Sequence, residues 1–88
     1  MPHTDYNDPE IVFPRLQARI QNIENETDAY WLQIWLWEKP GVRREVFNRK
    51  RAGSWRDAHE IIDAHSREYG AEVGADDIFV GKLPEPDL

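Results

Sequence analysis

Ala29–Glu38, AYWLQIWLWE, is the stretch whose reading decides the fold. It is rich in aromatic and aliphatic residues, holds no Gly or Pro, and runs into Lys39-Pro40-Gly41, a turn signal. That is the pattern of a strand. Successive side chains of a strand point to opposite faces. Tyr30, Leu32, Ile34 and Leu36 take one side, and Trp31, Gln33, Trp35 and Trp37 take the other. A sheet covered by helices on one side only should show a polar outer face. Here the second side carries three indoles, each with about 150–250 Å² to bury. Three covers are open: a helix on each face, the same face of a second copy, or a different protein or nucleic-acid base. Trp is enriched at interface hot spots. Trp31, Gln33, Trp35 and Trp37 are therefore the candidate partner-binding residues.

Working outward, Val42–Asn48 follows at hairpin spacing and should pair antiparallel with the first strand. Ser54 then opens a helix, its hydroxyl placed to cap the backbone N–H of Asp57. Trp55, Ala58, Ile61, Ile62, His65 and Tyr69 form one apolar arc of that helix, and Gly70 suits its C-terminal cap. Upstream, Asp8-Pro9 has the form of a helix start. Val12, Phe13, Leu16, Ile20 and Ile23 fall within about 100° of one another at 3.6 residues per turn. Pro14 is costly inside a helix, at roughly 3 kcal/mol. The reading is thus a turn at residues 9–12 and a main helix from Pro14 to about Glu24. Asp76–Gly81 reads as a short third strand, and Lys82–Leu88 as an extended tail with two prolines.

The expected fold is a small α+β domain in the order helix-strand-strand-helix-strand. It has a three-stranded antiparallel or mixed sheet with two helices mainly on one face. At 88 residues the chain is a single domain, 1–88. Residues 1–8 are expected to be frayed, 9–82 to form the folded body, and 83–88 to be the tail.

Charge is unevenly spread. The chain carries a formal net charge of −6. Residues 42–56 nevertheless hold six basic side chains against one acidic, Glu45. Arg43, Arg44, Arg49, Lys50, Arg51 and Arg56 either pair with acidic neighbours in the fold or attract phosphate, as candidate nucleic-acid-binding residues. There are no cysteines, so no disulfide and no thiolate site. No apolar run is long enough to span a bilayer and no secretory signal opens the chain. A cytoplasmic protein without membrane contact is expected.

No catalytic constellation is visible. His59 and Asp63 share a helix face at i, i+4, but a third metal ligand is not evident. His65 falls in the apolar arc, where a histidine bonded to a backbone carbonyl is the plainest reading. Ser54 and Ser66 lack a nucleophile-elbow context. The glycines form no phosphate cradle, and Asp76-Asp77 on a strand would face opposite ways. No metal and no cofactor is implied, and an enzyme is not expected.

The basic two-stranded ribbon followed by a helix, over residues 30–70, resembles in layout the small DNA-binding domains related to the plant AP2 domain and the arm-binding domains of integrases. Those domains carry three strands before the helix, and the sequence offers two. The expected function is a non-catalytic protein-interaction module, binding a partner or itself through the Trp-rich face with acidic flanks. Its size and charge suit a small inhibitor, immunity, antitoxin or accessory protein of a phage or mobile element. The alternative is a nucleic-acid-binding module using residues 43–56.

Overall fold

The computed structural model describes residues 4–81. The elements run β1 (Arg15–Asn22), β2 (Tyr30–Lys39), β3 (Val42–Ala52), α1 (Trp55–Tyr69), a 3-10 turn at Ala75–Asp77, and β4 (Ile78–Val80). The strands form one mixed sheet in the order β3-β2-β1-β4. The expected order of helix-strand-strand-helix-strand is therefore corrected. Among the described residues there is one α-helix, four strands rather than three, and three antiparallel strands before the helix rather than two.

The error lies in residues 14–24, which form β1 and not a helix. Leu16-Gln17-Ala18-Arg19-Ile20-Gln21 alternates strictly between apolar and polar, the period of a half-buried strand. Leu16, Ala18 and Ile20 are fully buried. Long-range pairing settles the choice between the two periods. All eight residues of β1 pair antiparallel with β2, from Arg15 opposite Trp37 to Asn22 opposite Tyr30. Pro14 stands one residue before the strand, where its missing N–H removes no ladder bond.

β2 and β3 close a tight hairpin in which Lys39 faces Val42 across Pro40-Gly41. Gly41 takes φ 75°, the positive value a Pro-Gly turn requires of its second central residue. From β3 at one edge, the chain crosses the sheet through α1 and enters β4 at the opposite edge, parallel to β1. Glu72 joins this edge first: its N–H donates to Pro14 O and its carbonyl accepts from Leu16 N–H, at 2.9 and 2.8 Å. Asp76 and Asp77 belong to the 3-10 turn, so the expected strand shortens to Ile78–Val80.

The helix begins where its cap demands. Ser54 Oγ accepts from Asp57 N–H at 3.0 Å, and Gly70 closes the last turn at φ 58°. Ala58 and Ile62 are buried against Leu16, Ala18, Ile20, Leu32, Ile34 and Leu36, which make up one side of the sheet. Val46, Phe47, Ile61 and Tyr69 pack around this core. Residues 4–8, read from sequence as a frayed end, are bonded to the body at several points described below. The tail 83–88 lies outside the described residues. Among the described residues no helix is long and apolar enough to cross a membrane.

Two substitutions test this architecture in chemical denaturation. Ile20→Ala should lower stability by about 2–5 kcal/mol, because it empties a fully buried site, while Gln21→Ala should change it by less than about 0.5 kcal/mol. Ser54→Ala should remove about 1 kcal/mol through loss of the cap. Equal, small effects at residues 20 and 21 would contradict the strand.

Candidate functional site

The strict alternation of β2 sends Trp31, Gln33, Trp35 and Trp37 to the side of the sheet away from α1. Their register partners on β1, Gln21, Arg19, Gln17 and Arg15, share that face, as do Glu45 and Arg43 opposite Trp35 and Trp37 on β3. Among the described residues, no helix or strand is laid over this indole face. It is covered by side chains instead.

Each indole lies under a guanidinium, one of them shared by Trp35 and Trp37. The Arg43 guanidinium lies 4.9 Å from the Trp35 ring centre and 5.6 Å from that of Trp37. Arg49 lies 4.9 Å from the Trp31 ring centre. Gln17, buried at 5% exposure, ties the middle together. Its Oε1 accepts from Trp37 Nε1–H at 3.0 Å and from Arg43 Nη1–H at 3.1 Å. Gln33 donates to the Glu45 carboxylate beside them. Trp35 is 7% exposed, whereas Trp31 and Trp37 stay half-buried. Each guanidinium–indole contact at such a surface contributes about 0.5–1 kcal/mol. That holds the side chains in place without sealing the rings.

The six basic residues of 42–56 do not form one patch. Arg43, Arg49 and Arg51 accompany the indoles, and Arg51 also pairs with Glu26. Arg44 reaches the helix side, 2.7 Å from Glu38 and over the Tyr69 ring. Lys50 lies over Phe47, in the core margin. Arg56 pairs with Glu60 on α1. Three of the six therefore have carboxylate partners in a strand end, a loop and the same helix. The bulges of β3 near Ile34 and Trp35 help decide which basic side chain faces which way. The acidic side chains Asp57, Glu60, Asp63 and Glu68 are exposed on α1. They do not flank the indoles.

Sequence reasoning missed three residues of this region, Tyr6, Arg15 and Gln17, and set a fourth, Asp77, aside as a strand residue. Asp77 is wholly buried. Its carboxylate accepts from Arg15 Nη1–H at 2.6 Å, from the Tyr6 hydroxyl at 2.9 Å and from Gly74 N–H at 2.8 Å. Tyr6 also stacks on Trp37, with centroids 4.6 Å apart and planes 7° from parallel. Its carbonyl accepts from Gly41 N–H, and Thr4 N–H donates to Asp76 O. Residues 4–8 thus form a strap across one end of the sheet, from the β2–β3 turn to the 3-10 turn. Partners 62 and 71 residues apart leave no local signal. The alternation of residues 16–21 was the one clue that could have placed Gln17 on this face.

The helix holds the other candidate groups. His65 Nδ1–H donates to Ile61 O at 2.8 Å, and its ring meets Phe47 edge-on. His59 lies against the exposed Trp55 ring. Among the described residues no three His, Cys, Asp or Glu side chains converge as metal ligands would. Compared with known proteins, the chain matches no family model, and no curated protein or solved structure is significantly similar to it.

Burial drives the Tyr6 phenol far above its ordinary value of about 10, and the charge and hydrogen bond of Asp77 add to the effect. The folded chain therefore holds this proton more tightly than the unfolded chain. The resulting stability is full below about pH 10 and is lost as pH rises beyond it, since only the unfolded phenol ionises there. Tyr6→Phe should cost about 1–3 kcal/mol at neutral pH, because Asp77 loses a donor. It should also flatten the alkaline decline. Denaturation curves of both proteins at pH 8 and above pH 10 measure this, and parallel declines would contradict a buried phenol.

Proposed function

We propose that the protein is a non-catalytic binding module, that its working surface is the indole face, and that its partner is a molecule other than a second copy of itself. One observation carries the reading. Trp31 and Trp37 are half-buried under arginine side chains, on a face that no described helix or strand covers. Trp and Arg are the residues most enriched at binding hot spots.

Charge argues against self-association through this face. A two-fold dimer sets a patch against itself. The patch holding Arg19, Arg43 and Arg49 would then meet an equally basic patch, with Glu45 the one carboxylate among the paired residues of β2 and β3 on that side. Like charges brought together at an interface cost several kcal/mol. The complementary partner carries negative charge. A catalytic reading finds little support on the helix, where Ser54, Ser66 and His65 are each bonded to backbone.

The test compares variants on the two sides of the sheet. Arg49→Ala and Trp31→Ala should each weaken partner binding by more than about 1 kcal/mol, the loss that marks an energetically important interface residue. Arg56→Ala and Asp63→Ala, on α1, should leave it unchanged. Capture from a host extract, quantified against the thermal midpoint of each variant, reads both. Loss confined to the helix variants would move the working surface to α1.

A further inference from the structure

We infer that the occupant of the indole face is a single strand of nucleic acid, with bases stacked on Trp31 and Trp37 and phosphates held by Arg19, Arg43 and Arg49. The inference rests on the binding-module reading above and names its partner.

The face sets two chemistries side by side along one strand, indole π-faces and guanidinium charges. A hydrophobic protein patch would engage the indoles and leave the guanidiniums unpaired. An acidic protein surface would engage the guanidiniums and have little use for π-faces. A single-stranded nucleic acid alternates the two groups along its length: a base with a π-face, then a phosphate. Base stacking on aromatic side chains beside a basic groove is how sheet surfaces take single strands. A duplex is the poorer fit, because its bases already stack on each other and present only their edges.

The geometry permits the exchange. Arg43 and Arg49 are exposed and lie on the indole rings without a carboxylate partner among the described residues. At Trp31, swinging the Arg49 guanidinium from the ring to a phosphate frees the π-face for a base. At Trp37, where Tyr6 stacks on the ring, Arg43 must also release its hydrogen bond to Gln17 Oε1 before the face opposite Tyr6 can take one. Six residue steps along the strand lead from Trp31 to Trp37, roughly 20 Å at about 3.3 Å per step. That is room for a few nucleotides, with Trp35 as the apolar floor between them. Glu45 is the one acidic residue paired opposite the indoles on β3, and Gln33 already engages it.

The net charge of −6 does not prevent this. The acidic side chains of α1 lie on the far side of a body whose least extent is 21 Å. Salt at physiological strength screens charge over about 8 Å. The strand therefore meets the local field of the arginines.

The experiment titrates the full chain with a 12-nucleotide oligo-dT and oligo-U while following Trp emission, with a DNA duplex and inorganic polyphosphate as comparison ligands. Quenching by both oligonucleotides is expected. The dependence of log affinity on log salt should have a slope of about −2, from three phosphate contacts at roughly 0.7 each. Trp31→Ala and Arg49→Ala should each weaken binding roughly tenfold, with Trp31→Phe restoring most of the loss. Arg49 is exposed, so its variant reports on binding even where Trp31→Ala disturbs the fold. Tighter binding of the duplex, or equal binding of polyphosphate without quenching, would overturn the inference. So would a failure of every nucleic acid while the indole-face variants still lose a protein partner. In that case the binding-module reading survives and only the identity of its partner falls. If nothing binds and no variant on this face loses a partner, both fall together.

Discussion

β2 is apolar on both faces, and the described chain supplies one α-helix. Everything else in the fold answers to that mismatch. The even-numbered residues of β2 meet α1 and the even-numbered residues of β1, and this side becomes a dry core of Leu, Ile and Ala. The odd-numbered residues have no second helix to meet. Their indoles are covered by side chains from β1 and β3 and by the strap of residues 4–8. A cover of guanidiniums and one stacked phenol excludes less water than a packed layer would. Trp35 is buried in the middle of the face, while Trp31 and Trp37 are not. The unequal burial of three identical side chains on one strand is the direct result.

The strap depends on a second device. Asp77 is a wholly buried carboxylate, and burying a charge without partners would be prohibitive. It has three donors, from the strap, from the start of β1 and from the turn before β4. Such a pair contributes little net stability compared with a hydrophobic replacement, but removing one partner costs several kcal/mol. Its effect is therefore positional. It fixes where Tyr6 sits, and Tyr6 in turn covers Trp37. The accessibility of one end of the indole face is thus coupled to a carboxylate at the far edge of the sheet.

Local signals were legible in the sequence. The Trp-rich strand, the Pro-Gly turn and the helix from its Ser54 cap to Gly70 all rest on neighbours within a few residues. β1 was not, and the reason is specific. Val12, Phe13, Leu16, Ile20 and Ile23 fit a helical period, and Ala18 is too small to register as an apolar position. Leu, Gln, Ala and Arg are also good helix formers. Pairing with β2 overrode that propensity, as tertiary context does for strands. The candidate residues of the face were identified from sequence on β2 and β3, but their grouping was not. Which arginines stand over the indoles depends on bulges in β3, and Gln17 and Tyr6 reach the face only once β1 and the strap are in place.

β3 shows how one strand can meet several demands at once. It is an edge strand of 11 residues, long enough to invite pairing with another chain. Its alternation, interrupted by bulges, sends Arg43, Arg49 and Arg51 toward the indoles, and Arg44 and Lys50 toward the helix side, over Tyr69 and Phe47. Long cationic side chains lay their apolar stems along hydrophobic surface and keep their charge in water. The same residues therefore widen the cover on both faces and place repulsive charge along the edge. Neutral residues of similar length would cover the rings as well, but would leave the edge free to pair. Carboxylates would guard the edge, but would be repelled by the negative faces of the indoles. Cations alone satisfy both conditions, and so a chain with an excess of acid concentrates its basic residues on this strand.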